Sequence, residues 1–338
     1  MNNAPAILLI ADTTLTFVAQ DIEILSRAYR VDVLARREYP SIRQFLPALM
    51  LRLCTVRYSL VYVWFAEPYD SPYIVLAARI FGVKCAIVVG GYDVACLPDL
   101  NYGALVSPAG RRKVKFALRA ADAVFPTSDL LAAEVRQLGR IRPVRAIYLG
   151  VDCERFVPGE VRERLVVTVG RVGRTTWRLK GLDVFARCSR LLPSAQFVVV
   201  GPSTDESVLR DLRLACGPNL TLTERLLPPS ELAAWFCRAT VYAQLSVRES
   251  FGLALAEAMS AGCVPVATAA AFMPEIVGDT GFLVEYGDAV AATEAISWAL
   301  ESDSGSRARV RIQTLFPLER RERALLSSVG CLISGQSP

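Results

Sequence analysis

The chain has 338 residues, more than one core of usual size needs and enough for two domains. Its 53% hydrophobic and 21% charged residues exclude a disordered chain, and no apolar run of 18 residues free of polar, Pro or Gly breaks is present to span a membrane. Net charge is +5, carried by the first half: residues 1–150 hold 18 Lys and Arg against 12 Asp and Glu, which is +6, and the remainder is −1.

The opening run Met1–Asp12 lacks a basic n-region and its apolar stretch is too short for a signal peptide, so it reads as a first strand. Strand-like runs then alternate with helical patterns, which predicts α/β architecture with parallel sheets. In the first half the expected strands are 7–11, 30–34, 60–65, 85–89, 123–126 and 145–148, with helices at 20–29, 72–81, 111–121 and 129–138. A polar, turn-prone connector, Tyr148 to Gly159, follows. A second alternation has strands at 166–169, 197–200, 220–222, 241–245, 264–267 and 281–284. Its helices are expected at 181–192, 206–215, 229–238, 253–261 and 289–302, and a last helical pattern over 307–326 is interrupted near Pro317. Two doubly wound domains facing across a cleft are expected, with ligands at the carboxyl ends of strands.

The chain contains no histidine, which excludes Ser-His-Asp triads, Cys-His dyads and His-ligated zinc. Nine cysteines are scattered without a Cys-x-x-Cys pair, so reduced, mostly buried thiols are expected rather than a metal cluster. The basic pattern over 111–119 places Val114, Ala117, Leu118 and Ala121 on one stripe, which suits either an anionic headgroup layer or packing on its own domain.

The segment from Glu249 to Val266 is the most informative. Glu249 precedes a turn of Ser250, Phe251, Gly252 and Leu253 that opens a helix, and Glu257 follows inside that helix. At ~1.5 Å rise per residue, the carboxylates lie roughly a turn and a half apart along the axis. Free N–H groups at the turn suit a phosphate, and a carboxylate on either side suits paired hydroxyls. This layout fits a nucleotide-sugar.

That segment resembles the carboxylate–seven residues–carboxylate motif of the retaining glycosyltransferases of family four (glycosyl transferases group 1). Three more segments resemble the family in order: Gly150-Val151-Asp152 with Phe156 and Pro158, Val169-Gly170-Arg171 with Lys180-Gly181, and Pro274 to Val284. The resemblance implies the GT-B fold, an acceptor-side domain over 1–150, a donor domain over 151–317, and a C-terminal helix, about 318–338, that packs back on the first. It implies a nucleotide-diphosphate sugar as donor, a glycan or lipid-linked acceptor, no required metal and no nucleic acid, in the cytoplasm with peripheral contact at the inner face of an anionic membrane. Lys180 and an Arg, either Arg171 or Arg178 with Arg174 as a further choice, would face the diphosphate. Gly201 would let the nucleotide approach, Glu249 would hold sugar hydroxyls, Glu257 the ribose, and Glu275 would support the ribose side. Retention is usually explained in this family by attack on the face the leaving group departs from, with no protein nucleophile.

Two first-domain loops depart from the family. The loop Ala11 to Phe17 has no glycine, and Val88 to Val94 places Gly90 where relatives carry a histidine. Asp93 remains as the candidate contact for an acceptor hydroxyl. These departures motivate an alternative, a non-catalytic nucleotide-sugar-binding protein. Gly170-x-x-Gly173 lacks the third glycine of a dinucleotide fingerprint, which counts against a nicotinamide-dependent oxidoreductase.

Overall fold

The computed structural model describes residues 4–141 and 143–336, which form two compact units. Unit 1 runs to Leu149 and resumes from Glu319; unit 2 is Gly150–Leu318. Of the expected C-terminal helix, positions 337 and 338 lie outside the described residues, as do positions 1–3 of the opening run.

Unit 1 is built in the order β1 (Ala6–Ala11), α1 (Thr16–Ser26), β2 (Arg30–Ala35), α2 (Ile42–Thr55), β3 (Leu60–Trp64), α3 (Ser71–Ile80), β4 (Lys84–Val89), α4 (Pro108–Ala120), β5 (Ala123–Pro126) and α5 (Asp129–Gln137). All its strand pairs are parallel, in the order β2-β1-β3-β4-β5. Every residue of β1 and β3 is buried, because helices cover both faces of a parallel sheet and leave no side for polar residues. Ser107 and Ser128 stop their chains in extended geometry and accept from Gly110 N–H and Leu131 N–H, which starts α4 and α5. Helix α2 lies outside the expected set, and Pro47 in its interior explains the weak pattern.

The expected strand at 145–148 is not formed. The segment meets β5 through a Val124–Val144 bridge and through bonds from Val124 N–H to Pro143 O, Arg145 N–H to Val124 O and Ile147 N–H to Pro126 O, and Pro126 of β5 has no N–H to complete the ladder at Arg145. The stripe of Val114, Ala117, Leu118 and Ala121 is buried in the core of unit 1, so it does not meet headgroups.

Unit 2 continues with β6 (Glu163–Val169), α6 (Thr176–Leu179), α7 (Leu182–Leu191), β7 (Gln196–Pro202), α8 (Glu206–Ala215), β8 (Leu220–Glu224), α9 (Pro229–Arg238), β9 (Ala239–Gln244), α10 (Leu253–Ser260), β10 (Val264–Thr268), α11 (Met273–Val277), β11 (Phe282–Val284), α12 (Ala289–Leu300) and α13 (Gly305–Leu315). Its parallel sheet has the order β11-β10-β9-β6-β7-β8. The chain winds outward from β6 to β8, then returns to the other side at β9. The order therefore reverses between β6 and β9, where a crevice opens beyond the strand ends. In unit 1 the equivalent point lies between β1 and β3.

The chain breaks at Phe316-Pro317, where Val151 N–H donates to Phe316 O and Leu318 N–H to Val151 O. The last helix, α14 (Leu318–Ile333), then joins unit 1. Its Arg321 is buried and donates from Nε and Nη2 to the two oxygens of Asp21 at 2.7 and 2.8 Å. Nη1 of the same side chain donates to Ile147 O and Tyr148 O at 3.0 and 2.9 Å.

All nine cysteines are free thiols, but only Cys85, Cys188 and Cys263 are buried, against the expectation of mostly buried thiols. Among the described residues no helix is long and apolar enough to cross a membrane.

Candidate active site

At the reversal point of unit 2, β9 ends in Gln244 and the chain passes through Leu245, Ser246 and Val247 to Glu249. Beside it, α6 ends at Leu179, Lys180 caps it, and Gly181 turns the chain into α7 with φ of 64°. A Cβ on Gly181 would stand 1.8 Å from the Leu245 carbonyl oxygen, so only glycine lets this turn approach the strand end. Val247 N–H donates to Leu179 O at 2.9 Å and ties the two segments together.

The result brings two of the expected residues into direct contact. Lys180 Nζ donates to Glu249 Oε1 at 2.6 Å, with side-chain exposures of 29% and 12%. The same carboxylate oxygen accepts from Ser246 Oγ at 2.9 Å and Gln244 Nε2 at 3.1 Å. Behind these, Tyr242 OH donates to Gln244 Oε1 at 3.0 Å and accepts from Val169 N–H at 3.3 Å. Burial first, then the charge of Glu249, pushes the Tyr242 phenol well above its usual range, which keeps it a neutral donor. A chain of hydrogen bonds thus runs from the end of β6 to Glu249 and holds it in one orientation.

Helix α10 begins just beyond. Gly252 caps it in left-handed geometry, and the first intrahelical bond comes only from Ala256 N–H to Gly252 O, so the N–H groups at Leu253, Ala254 and Leu255 have no intrahelical acceptor. The Phe251 side chain is fully buried, stacked on Phe272 at 5.5 Å and edge-on to Phe316 at 5.4 Å, contacts that fix the turn from below. Glu257 is 9% exposed, and its carboxylate accepts no hydrogen bond among the described residues. Burial pushes its carboxyl up to about 8, opposed by the nearby Arg155 and reinforced by Asp152.

Arg171 and Arg178 are exposed, and neither forms an ion pair among the described residues. Arg174 points to Asp205 at 3.3 Å and is 84% exposed. Gly201, one residue before the end of β7, has φ of 148°, and a Cβ there would be 2.3 Å from Gly170 O. Its glycine is thus required by the neighbouring strand end, whatever approaches from solvent.

In unit 1, Asp93 is fully buried and accepts from Gly91 N–H at 2.7 Å, Ala66 N–H at 3.1 Å and Gly90 N–H at 3.3 Å. Burial raises its pKa and these bonds pull it back. The carboxylate therefore organises the loop, which corrects the expectation that it contacts an acceptor hydroxyl. At Gly90 the space of a side chain is taken by the Phe65 ring, 2.2 Å from where a Cβ would stand. The glycine-free first loop closes on itself, with Asp12 Oδ1 accepting from Thr14 N–H and Oγ1.

A cavity of about 410 Å³ opens at the reversal point of unit 1, lined by the ends of β1 and β3 and by Arg36, Arg37, Glu67 and Asp70. Arg36 grips Asp70 with two bonds, 2.7 and 3.1 Å. Glu67 has no such partner in this cavity. Burial, then the charges of Asp93 and Asp70, push its carboxyl up to about 7 against the pull of Arg36.

Tyr242, Gln244 and Ser246 lie outside the expected site residues. Their signal was present: they sit at alternate positions, so with Thr240 they share one polar face of β9 and its extension, while Ala239, Val241 and Ala243 on the other face are apolar. Glu67 had no such signal, because its neighbours come from separate segments.

Residues 163–302 match the family model described as Glycosyl transferases group 1. Over 233 residues the chain is 32% identical to the lipopolysaccharide core biosynthesis mannosyltransferase LpcC of Rhizobium leguminosarum bv. viciae, covering 62% of this chain and 65% of that one. The chain thus spans less than two thirds of that relative's length. Sucrose-phosphate synthase from Thermosynechococcus elongatus superposes with a TM-score of 0.82 over 98% of this chain and 100% of that one, at 18% identity. HepE from Anabaena, in complex with UDP and glucose, superposes with a TM-score of 0.78 over 96% and 99%, at 17% identity. The fold is GT-B, and the stretch 163–302 of its second unit is similar to the glycosyl transferases group 1 family.

Proposed function

We propose that the protein is a retaining glycosyltransferase that moves a sugar from a nucleotide-diphosphate sugar to an acceptor hydroxyl of a glycan or lipid-linked sugar. The observation that carries this reading is the Lys180–Glu249 pair beside the open N-terminus of α10 at the reversal point of unit 2. A diphosphate is recognised there by the free N–H groups of α10, by Lys180, and by Arg171 or Arg178. Glu249, already fixed by Ser246 and Gln244, has a second oxygen for sugar hydroxyls. Glu257 accepts from the ribose.

In the step itself the bond from the anomeric carbon to the diphosphate oxygen breaks. The acceptor oxygen bonds to that carbon from the same face, and its proton passes to the departing phosphate. Lys180 and the arginine stabilise the charge that grows on the leaving group, and this stabilisation is larger at the transition state than before it. With two side-chain cations and helix N–H groups in that role, the reading requires no metal. The unit 1 cavity with Glu67 is the acceptor side, and the setting is the cytoplasm at the inner face of a membrane.

The test is donor titration by thermal shift and turnover, using a panel of nucleotide-sugars with wild type, Lys180→Ala and Glu257→Ala. Bound donor stabilises by mass action, so wild type should shift and both variants should shift less at equal concentration. If neither change weakens donor binding or transfer, the assignment is wrong. Donor binding without transfer to any acceptor would favour the non-catalytic alternative.

A further inference from the structure

The outer face of unit 1 carries exposed apolar and cationic side chains together. On α3, Tyr73, Leu76 and Ile80 recur at helical spacing and are 43%, 43% and 73% exposed. Phe116 on α4 is 43% exposed, although the opposite stripe of that helix is buried in the core. Soluble surfaces scatter such side chains singly, whereas here they occur on two helices that pack side by side.

Cations are interleaved with them. Arg79 of α3 lines one groove with Arg112, Lys115, Phe116 and Arg119 of α4. None of these four cations forms an ion pair among the described residues. Neither helix contains an acidic residue, and Asp122, just past α4, is held by Lys84 at 3.1 Å. Lys113 of α4 lies over the ring of Tyr69, just before α3, at 5.2 Å.

We propose that the α3–α4 face of unit 1 docks on an anionic lipid bilayer, with Leu76, Ile80 and Phe116 entering the headgroup layer and Arg79, Arg112, Lys115 and Arg119 facing lipid phosphates. The charge argues for anionic lipid, since unpaired cations attract a negative surface and lose that attraction as salt rises. The interleaved apolar side chains argue for a bilayer, because a purely phosphate-coated partner offers nothing to bury them. This surface rests on the membrane setting proposed above and does not involve the donor site, so vesicle binding and donor turnover can fail separately.

The experiment is co-sedimentation of the full chain with phosphatidylcholine vesicles, with and without phosphatidylglycerol, at low and high salt. Wild type should sediment with the anionic vesicles and little with the neutral ones. Arg79→Glu/Arg112→Glu should reduce anionic-vesicle binding by about tenfold or more. Leu76→Ser/Ile80→Ser should weaken it too and make the remainder fully releasable by salt. Both pairs are exposed, so unchanged melting temperatures check that the variants fold. Equal binding to neutral vesicles, no sedimentation, or wild-type binding by both variants overturns the proposal. A concentration-dependent dimer abolished by Leu76→Ser/Ile80→Ser, with no vesicle binding, would assign this face to a second copy of the chain instead.

Discussion

Lys180 Nζ lies 2.6 Å from Glu249 Oε1, and the backbones that carry the two are joined by the Val247–Leu179 hydrogen bond. The pair is only partly screened, since the carboxylate side chain is 12% exposed. Lysine and glutamate here are one unit: the carboxylate orients the cation, and Ser246 and Gln244 orient the carboxylate.

Such a unit should be non-additive. In a double-mutant cycle of Lys180→Met and Glu249→Gln, the coupling energy for stability is expected at ~1–3 kcal/mol, as for side chains in one hydrogen-bonded network. Urea unfolding of the four proteins measures it. Additive effects would mean that the contact contributes nothing.

Gly181→Ala should be more damaging than its size suggests. The added Cβ meets the Leu245 carbonyl at 1.8 Å and must adopt a left-handed φ of 64°. The turn has to move, and Lys180 moves with it. A lower melting temperature together with weaker donor binding is expected; a variant with wild-type values for both would show that the turn does not position the lysine.

Glu257 makes stability depend on pH. Its carboxyl titrates at about 8 in the folded chain against 4.5 as the ordinary value. Below about pH 4.5 both states are protonated and its contribution is complete; as pH rises toward 8 the unfolded chain ionises first, so stability is lost across that window. Glu257→Gln removes the ionisation, and its melting temperature relative to wild type should rise between pH 5 and pH 8. A pH-independent difference would show that the group is already charged when folded.

Much of this site was legible in the sequence because it is local. The turn from Glu249 to Glu257, the Lys180-Gly181 step and the strand ends each fall within a few residues, and backbone rules read them directly. Tertiary pairing was not legible. That Lys180 and Glu249 neutralise each other depends on two segments 69 residues apart. That Asp93 is buried on loop N–H groups depends on Ala66 and on Phe65 filling the space above Gly90. The strand expected at 145–148 failed for a related reason: its partner strand β5 carries Pro126, which has no N–H to donate to Arg145, so the ladder is incomplete.

Glu67 should govern the pH profile of acceptor use. Its carboxyl titrates at about 7, held there by burial and the charges of Asp93 and Asp70. If the carboxylate receives an acceptor hydroxyl, kcat/KM for the acceptor rises with pH to a plateau above about 7, and Glu67→Gln flattens that profile while leaving donor binding unchanged. The same inflection in the variant would assign the ionisation elsewhere.

The strongest single effect on unit 1 should come from Arg321. Its guanidinium is buried with Asp21 and also donates to two backbone carbonyls, while Asp21 accepts from Tyr62 OH at 2.8 Å and Trp64 Nε1 at 2.9 Å. Every polar atom in this cluster depends on another, so removing the cation leaves a carboxylate buried with neutral donors alone and frees the carbonyls of Ile147 and Tyr148. Breaking a buried pair in this way costs ~3–5 kcal/mol. Arg321→Met should therefore speed hydrogen exchange in α14 and in β1, whereas the strands of unit 2 keep their protection. Asp21→Asn combined with Arg321→Met should recover part of the loss, because the charge left without a partner is then gone. If the single change leaves exchange in α14 as slow as in wild type, the helix is held by its apolar face, through Leu325, Val329 and Leu332, and the ion pair is dispensable.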